Sequence, residues 1–413
     1  METENQSSIA TTPASDPGVR PGLAVAFSNL GHCYTHLVTI LYATAVLHLP
    51  GVFDLPYGEL LALSSLGLIL FGVGALPAGW LADRWSQVGM MVVFFFGIGL
   101  GTIVTGLADN SRWLFIGLTL IGLFASIYHP VGIAWLVAIA RKQGMTLGIN
   151  GMFGAAGSAL APVFVGMMID ADSWRAAFIV PGLLSMATGT ALLVAWWRGW
   201  VTGEKADRIA QAPPDPGAFR RVFIVLTVTM ACNGFVFTGL TTTMPKLFAM
   251  GLGPVLASSY TEIGLYVGAV LGLSSLSSLF GGWLADRYSA RNIYIVFWFL
   301  LAPPLFVMTS GFGYTLLTIA FMAMLFNVAF AAAENMLVAR YTPFEWRALA
   351  YGAKFVLALG VGGLTVLLAG ELFDRTGSFD LLYALLGLSA IVAGVGALLL
   401  PRARPALFAP AAT

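Results

Sequence analysis

Apolar runs of about 20 residues follow one another along nearly the whole chain, and each is long enough to cross a bilayer as a helix. Hydrophobic residues make up 58% of the 413 residues and charged residues 9%, far below the charged fraction of about 25% in soluble domains. This pattern predicts an all-α polytopic membrane protein with 12 transmembrane helices. Breaks at Pro, Gly and charged residues place these helices at about residues 22–49, 57–82, 88–108, 113–140, 144–169, 174–197, 222–250, 259–285, 292–310, 314–338, 348–370 and 380–400.

The longest polar interruption, residues 198–221, divides six predicted helices from six. Because it is rich in Pro and mixed in charge, we interpret it as a linker between a bundle at 22–197 and a bundle at 222–400. The polar residues 1–21 predict a disordered tail, and residues 401–413 a second tail. Lys and Arg residues concentrate at the helix ends that lie on the same side as the two tails and the linker. The helix ends on the other side carry only Arg112, Arg175, Lys246 and Arg375. The positive-inside rule therefore predicts that both termini and the linker are cytoplasmic.

The hexapeptide GWLADR occurs twice, at Gly79–Arg84 and at Gly282–Arg287, which defines an offset of 203 residues. At this offset the whole preceding helix aligns without a gap, and Tyr57 and Glu59 fall opposite Tyr260 and Glu262. A match at both ends of one helix indicates duplication of a six-helix unit.

These loops resemble the signature of the major facilitator superfamily of secondary transporters, and the resemblance covers about residues 20–402. The resemblance implies a fold of two pseudo-symmetric six-helix bundles. The matching residues are Gly79, Asp83 and Arg84 in the first copy and Gly282, Asp286, Arg287 and Arg291 in the second. The first copy departs from the signature at Ser86, Gln87 and Val88, and the second at Ser289 and Ala290.

Two further segments, GHCYTHL in helix one and ASIYHPVGIA in helix four, are similar to the fosmidomycin-resistance-like exporter branch of that superfamily. In helix five, Gly157, Pro162 and Gly166 resemble the Gly- and Pro-rich signature of the superfamily's antiporters, although Ala161 replaces a Gly. The resemblance implies a protein of the bacterial cytoplasmic (inner) membrane.

The superfamily resemblance also implies a conformational latch in the two loops. Asp83 is expected to face the start of helix eleven near residues 346–351, and Asp286 the start of helix five near residues 144–147. A carboxylate there would bind free N–H groups at a helix start in the other bundle, and only when the cytoplasmic side is closed. The alternative is a hydrated turn that anchors the helix end.

Three histidines are candidates for a substrate or proton pathway, because ionisable groups are costly inside a bilayer. His32 lies 12 residues after Arg20 and His129 lies 12 residues before Arg141, so each is about 18 Å from the cytoplasmic edge. His36 follows His32 by one helical turn on the same face. The alternative is that they are neutral packing residues. No metal site is expected, because Cys33 is turned about 100° from His32 and the second half contains no His.

In the second half, Glu334 and Lys354 are predicted to lie at similar depth and to pair, with Asn335 beside them. Aligning LGIN with YGAK places Asn150 opposite Lys354. Two roles stay open: the pair stabilises the fold, or Lys354 faces the cavity and attracts an anionic substrate. Asn233 and Asn327 are weaker candidates for the same pathway.

The predicted function is a proton-coupled exporter, an antiporter for small organic molecules or drugs that works by alternating access. One alternative is an uptake symporter or facilitator for a small organic anion, and another is a membrane sensor or lipid scramblase. The sequence has no Walker-type phosphate loop and no motif that indicates an enzyme, a cofactor or a nucleic-acid partner. We expect a monomer whose partners are its substrate, protons and the lipid bilayer.

Overall fold

The computed structural model describes residues 18–140, 143–203, 216–341, 354 and 356–401. Within these ranges the chain is helical and forms no strand. The first half contains α1 Pro21–Ala45, α2 Tyr57–Val73 with Ala75–Arg84, α3 Gln87–Gly106, α4 Ser111–Ile139, α5 Gln143–Asp170 and α6 Ala176–Trp197. The second half contains α7 Pro216–Gly251, α8 Tyr260–Arg287, α9 Ala290–Phe306, α10 Gly313–Ala329 with Ala331–Tyr341, α11 Val356–Thr376 and α12 Asp380–Leu398.

Ten of these helices, α3 to α12, are long and apolar enough to cross a membrane, and α2 makes an eleventh if its two parts, which are bent by 42°, form one span. Helix α1 has 25 residues but does not reach the same hydropathy. It carries Ser28, Asn29, Thr35 and Thr44 among its buried residues. The polar face of α1 must therefore be covered by other helices instead of lipid.

Several helix ends differ from the predicted ones. Helix α1 stops at Ala45, and a separate short helix, Pro50–Phe53, leads towards α2. Helix α7 begins at Pro216, inside the segment predicted as linker, because proline is favoured in a first turn. Parts of the predicted segments lie outside the described residues: 1–17 of the tail 1–21, 402–413 of the tail 401–413, the middle of the linker and the predicted start of helix eleven.

The two GWLADR copies have the same local structure. In each copy the guanidinium group lies 4.1 Å from the centre of the indole ring four residues earlier, Arg84 over Trp80 and Arg287 over Trp283. Gly79 packs beside Pro130 of α4, and Gly282 beside Ala332 of α10. The sequence repeat is thus a repeat of helix packing. We call this end of the bundles the linker side.

On the opposite side the two bundles touch along two helix pairs. A methyl group at Gly58 of α2 would collide with the carbonyl group of Gly370 on α11. A methyl group at Gly166 of α5 would collide with the carbonyl oxygen of Tyr260 on α8. Glycine is required at both positions because the backbones approach more closely than any side chain allows.

Beside each of these contacts, a carboxylate at the end of one helix caps the start of a helix in the other bundle. Asp374, at the end of α11, accepts hydrogen bonds from the backbone N–H groups of Gly58 and Glu59 at 2.7 and 2.9 Å. Asp170, at the end of α5, accepts them from Tyr260 and Thr261 at 3.1 and 2.8 Å. Since a helix start carries free N–H groups and a positive dipole end, these carboxylates stabilise the closed contact.

On the linker side, the described residues form no matching contact along α5. An added methyl group at Gly144, Gly148 or Gly151 of α5 would meet no atom of the described residues within 4 Å. Asp83 and Asp286 are both exposed, and within the described residues Asp286 forms no hydrogen bond or ion pair. The expected partner of Asp83 near residues 346–351 lies outside the described residues. Arg291 binds elsewhere in its own bundle, donating hydrogen bonds to the carbonyl oxygens of Leu398 and Leu400 at 2.7 Å each.

We predict that Gly166→Trp forces the opposite side apart, because an indole cannot fit between α5 and α8. Spin labels at Val52→Cys and Val255→Cys, which are exposed on that side, would report a longer mean distance by double electron–electron resonance. The native cysteines Cys33 and Cys232 would be replaced by Ser for this measurement. Gly144→Trp on the same helix is the control and should leave the distance unchanged. An unchanged distance in Gly166→Trp would contradict the assigned contact.

Candidate functional site

Three histidine rings meet near the middle of the first bundle. His32 and His36 lie one turn apart on α1, and their ring centres are 5.0 Å apart. The ring centre of His129 on α4 is 5.5 Å from that of His32 and 5.6 Å from that of His36. The structure thus brings together the three sequence-predicted histidines, which we call the histidine cluster.

A local irregularity in α4 brings His129 to this position. Residues Tyr128–Gly132 form a π-helical turn around Pro130. Proline has no N–H group to donate, so the regular hydrogen-bond ladder is interrupted there. Such single π turns are frequent at functional sites.

Asn150 of α5 is the centre of a buried hydrogen-bond network. Its side-chain amide donates to Asn29 Oδ1 at 3.0 Å and to the hydroxyl of Tyr128 at 2.8 Å. Its backbone carbonyl accepts a hydrogen bond from His32 Nδ1 at 2.8 Å. Asn150 is only 2% exposed. These bonds fix α1, α4 and α5 relative to one another beside the histidine cluster.

The same network determines which nitrogen of His32 carries the proton. A carbonyl oxygen can only accept, so His32 Nδ1 must be the donor. In the neutral ring His32 Nε2 then has a free lone pair, and it lies 3.2 Å from His36 Nε2. His36 Nε2 is therefore the donor between the two rings. The pair is a short hydrogen-bonded chain that a proton can enter.

The second bundle contains an ion pair at a related position. Lys354 Nζ lies 3.5 Å from Glu334 Oε2 and donates a hydrogen bond to Asn335 Oδ1 at 2.6 Å. The Glu334 side chain is 1% exposed and that of Lys354 is 13% exposed. The Glu334 side chain is thus sealed, whereas the Lys354 side chain keeps some access. Nearby, Asn327 Nδ2 donates to Asn233 Oδ1 at 3.0 Å and joins α10 to α7.

The helix-five residues Gly157, Pro162 and Gly166 lie at helix contacts. A methyl group at Gly157 would collide with the Cys33 carbonyl oxygen of α1. The Pro162 carbonyl lies against Gly264 of α8, and Gly166 lies against Tyr260. The structure places these three residues between α5 and its neighbours.

Sequence reasoning missed four functional residues. Asn29 and Tyr128 complete the Asn150 network, and Asp170 and Asp374 cap helices of the opposite bundle. The two aspartates carried a usable signal, because they share the 204-residue offset that aligns Asn150 with Lys354. Asn29 falls opposite Asn233 at the same offset, but only the packing of α5 on α1 shows its partner.

An all-helical chain of two related bundles, with polar groups buried mid-helix and one side closed by interbundle caps, has the architecture of a secondary transporter. The family model of the Major Facilitator Superfamily matches residues 29–260 and 248–412. The chain belongs to this superfamily. The fosmidomycin-resistance-like branch stays a prediction.

Two relatives indicate the range of molecules handled by similar chains. The probable sulfoacetate transporter SauU of Cupriavidus necator is 26% identical over 383 residues, covering 82% of this chain and 84% of the relative. The tetracenomycin C resistance and export protein of Streptomyces glaucescens is 24% identical over 202 residues, covering 47% of this chain and 37% of the relative.

Solved structures share the fold. A bacterial homologue of the human lysosomal transporter Spinster, in an inward-facing and unoccupied conformation, matches with a TM-score of 0.68 at 14% identity. The match covers 94% of this chain and 96% of that one. The occupied form of the homologue gives the same TM-score at 16% identity, with 93% and 96% coverage.

We predict that Asn150→Ala lowers stability, because it leaves the buried polar groups of Asn29 and Tyr128 short of a partner. Each unsatisfied buried group costs about 1–3 kcal/mol. Thermal unfolding of the purified protein in detergent would show a lower apparent melting temperature. Ser158→Ala on the same helix is the matched control, since Ser158 Oγ bonds only its own helix backbone at 3.3 Å. Equal melting temperatures in the two variants would contradict the central role of Asn150.

Proposed function

We propose that this protein is a proton-coupled secondary transporter of a small organic anion and works by alternating access between its two bundles. One observation carries the proposal: Lys354 is a partly exposed cation whose partner, Glu334, is sealed behind it. A single ammonium group on the accessible side of a buried pair is suited to bind a carboxylate, sulfonate or similar anion.

Proton coupling follows from the same pair. An anion bound to Lys354 would weaken the hold of Lys354 on Glu334. An unpaired carboxylate in this buried position would be costly, so Glu334 would take up a proton when the anion arrives. Anion and proton would then bind together and cross together, which is symport. The gradients of the two species would set the direction.

The histidine cluster supports the same coupling. His36 and His32 form a hydrogen-bonded chain at about mid-helix, and an imidazole can accept a proton on one ring nitrogen and release one from the other. We propose that the cluster receives and returns the proton while Lys354 holds the anion. The full-length similarity to the probable sulfoacetate transporter is consistent with an anionic substrate.

For the latch residues we propose the role that the sequence predicts. Asp83 and Asp286, which are exposed in this structure, would cap helix starts of the opposite bundle when the linker side closes. The concentration of Lys and Arg supports a cytoplasmic linker side in a bacterial inner membrane. Asp374 and Asp170 would stabilise the state in which the side opposite the linker is closed.

The second candidate is proton-coupled export of a small organic molecule or drug. Two observations favour it: the helix-five residues Gly157, Pro162 and Gly166, which form the contacts of α5, and the partial similarity to the tetracenomycin C resistance and export protein. In that case substrate and protons would move in opposite directions.

We predict that Lys354→Gln abolishes anion transport. The purified protein would be reconstituted in liposomes and assayed for uptake of small sulfonates and carboxylates, including sulfoacetate, driven by an imposed pH gradient. Because a hydrogen bond to a charged group contributes about 1.5–3 kcal/mol, uptake should fall at least about tenfold. Glu334→Gln should still bind anion but lose its dependence on the gradient. Arg112→Gln, an exposed charge outside the pair, is the control.

A double variant separates substrate binding from a purely structural role. Lys354→Gln alone leaves a buried carboxylate unpaired, which costs about 3–5 kcal/mol in known cases. Lys354→Gln with Glu334→Gln removes both charges and should recover the melting temperature in detergent. If transport recovers with it, the pair only stabilises the fold and the proposal is wrong. Uptake of none of the anions, with gradient-driven movement of a neutral or cationic drug instead, would favour the second candidate.

A further inference from the structure

We propose that the histidine cluster, His32, His36 and His129, is a binding site for a divalent transition-metal ion such as Zn²⁺, Ni²⁺ or Co²⁺. The inference does not depend on the identity of the transported substrate. It rests on the distances between ring nitrogens, on the hydrogen bond that orients His32, and on the chemistry of three imidazoles.

The nitrogen positions fit a metal ion. One ring nitrogen from each of the three histidines lies within 4.8 Å of the others. His32 Nε2 and His36 Nε2 are 3.2 Å apart. Two nitrogens that each lie about 2.0–2.1 Å from a tetrahedral Zn²⁺ are about 3.3 Å apart. Two of the three ligand atoms therefore already have the required spacing. For His36 Nε2 to bind the ion, the His36 ring must carry its proton on Nδ1 instead, and a reorientation of the His129 ring would bring in the third nitrogen.

His32 also has the outer contact that a metal-binding histidine needs. Ligating histidines almost always donate their second N–H group to a carbonyl or carboxylate, which fixes the ring and leaves the other nitrogen as a lone pair. His32 Nδ1 donates to the backbone carbonyl of Asn150 at 2.8 Å, and Asn150 is itself held by Asn29 and Tyr128. The lone pair of His32 Nε2 thus points into the cluster.

The chemistry of the ligand atoms determines which class of metal ion would bind. Three imidazoles favour Zn²⁺, Co²⁺, Ni²⁺ or Cu²⁺, whereas Mg²⁺ and Ca²⁺ prefer oxygen ligands. Cys33 belongs to a different face of α1, where its carbonyl packs against Gly157. Three protein ligands leave a fourth position for water or for an anionic oxygen. All three imidazoles are half-buried, so an ion is not excluded by a sealed core.

The site lies within one bundle. His32 and His36 belong to α1 and His129 to α4, so a bound ion would tie these two helices together without bridging the two bundles. It would also occupy the lone pairs that a proton would otherwise use. Metal binding and protonation of the cluster would therefore exclude each other.

The test is metal binding by the purified full-length protein in detergent, after removal of any affinity tag and treatment with a chelator. Co²⁺ is the probe, because its visible absorption reports coordination by nitrogen, and Zn²⁺ is then added as a competitor. Wild type should bind one Co²⁺ per chain with saturation. Since changes in outer contacts alone cost about 10- to 100-fold in affinity, His36→Ala and His129→Ala should each weaken binding at least about tenfold.

Two further variants make the result specific. His48→Ala removes the fourth histidine of the chain, whose ring packs on Tyr260 at 5.9 Å, and should leave binding unchanged. Gly154→Ala retains every ligand but places a methyl group 2.7 Å from His32 Nε2, so it should weaken binding in a protein with all four histidines. Absence of saturable Co²⁺ binding in wild type, or equal affinity in wild type and His129→Ala, would overturn the proposal.

Discussion

Two carboxylates hold the closed side of this protein by capping helices that belong to the other bundle. Asp374 binds the start of α2 and Asp170 the start of α8, and each carboxylate reaches two backbone N–H groups. Helix starts have free N–H groups that a bilayer cannot hydrate, so the partner must come from protein or interfacial water. The close approach of backbones at Gly58 and Gly166 brings the caps within reach.

The sequence predicted the fold and the superfamily well, and both are confirmed. Long apolar runs and one repeated hexapeptide are local features of the sequence, so they can be recognised without knowing how the helices pack. The partners of buried polar groups are not local. Asn150 was considered only as the counterpart of Lys354, yet it joins three helices, because α1, α4 and α5 meet at its side chain.

The residues that cap helix starts are also not always local in the sequence. Glu59 and Glu262 occupy matched positions in the repeat, but their helix starts are capped differently. Glu262 does form a capping box with Ser259. At α2 the N–H groups of Gly58 and Glu59 bind Asp374 instead, from more than three hundred residues away in the chain. Likewise, the sequence argument against a metal site could not use the distances between His129 and the two histidines of α1, which only the folded chain shows.

The two halves share a backbone plan but differ in polar content. The first bundle contains the cluster of three imidazoles and a neutral amide network, and the second contains a buried ion pair. The helix-five position held by Asn150 in one half is held by Lys354 in the other. Duplication thus supplied two similar frames, and substitution at matched positions gave them different chemistry.

The low hydropathy of α1 has a consequence for how the protein is made. During synthesis α1 leaves the ribosome before α4 and α5, which cover its polar face in the finished protein. A helix with buried Ser, Asn, Thr and half-buried His residues partitions poorly into lipid by itself. Stable insertion of α1 must then await its later neighbours, so the residues that form the polar centre also make the first helix depend on the others for its place in the membrane.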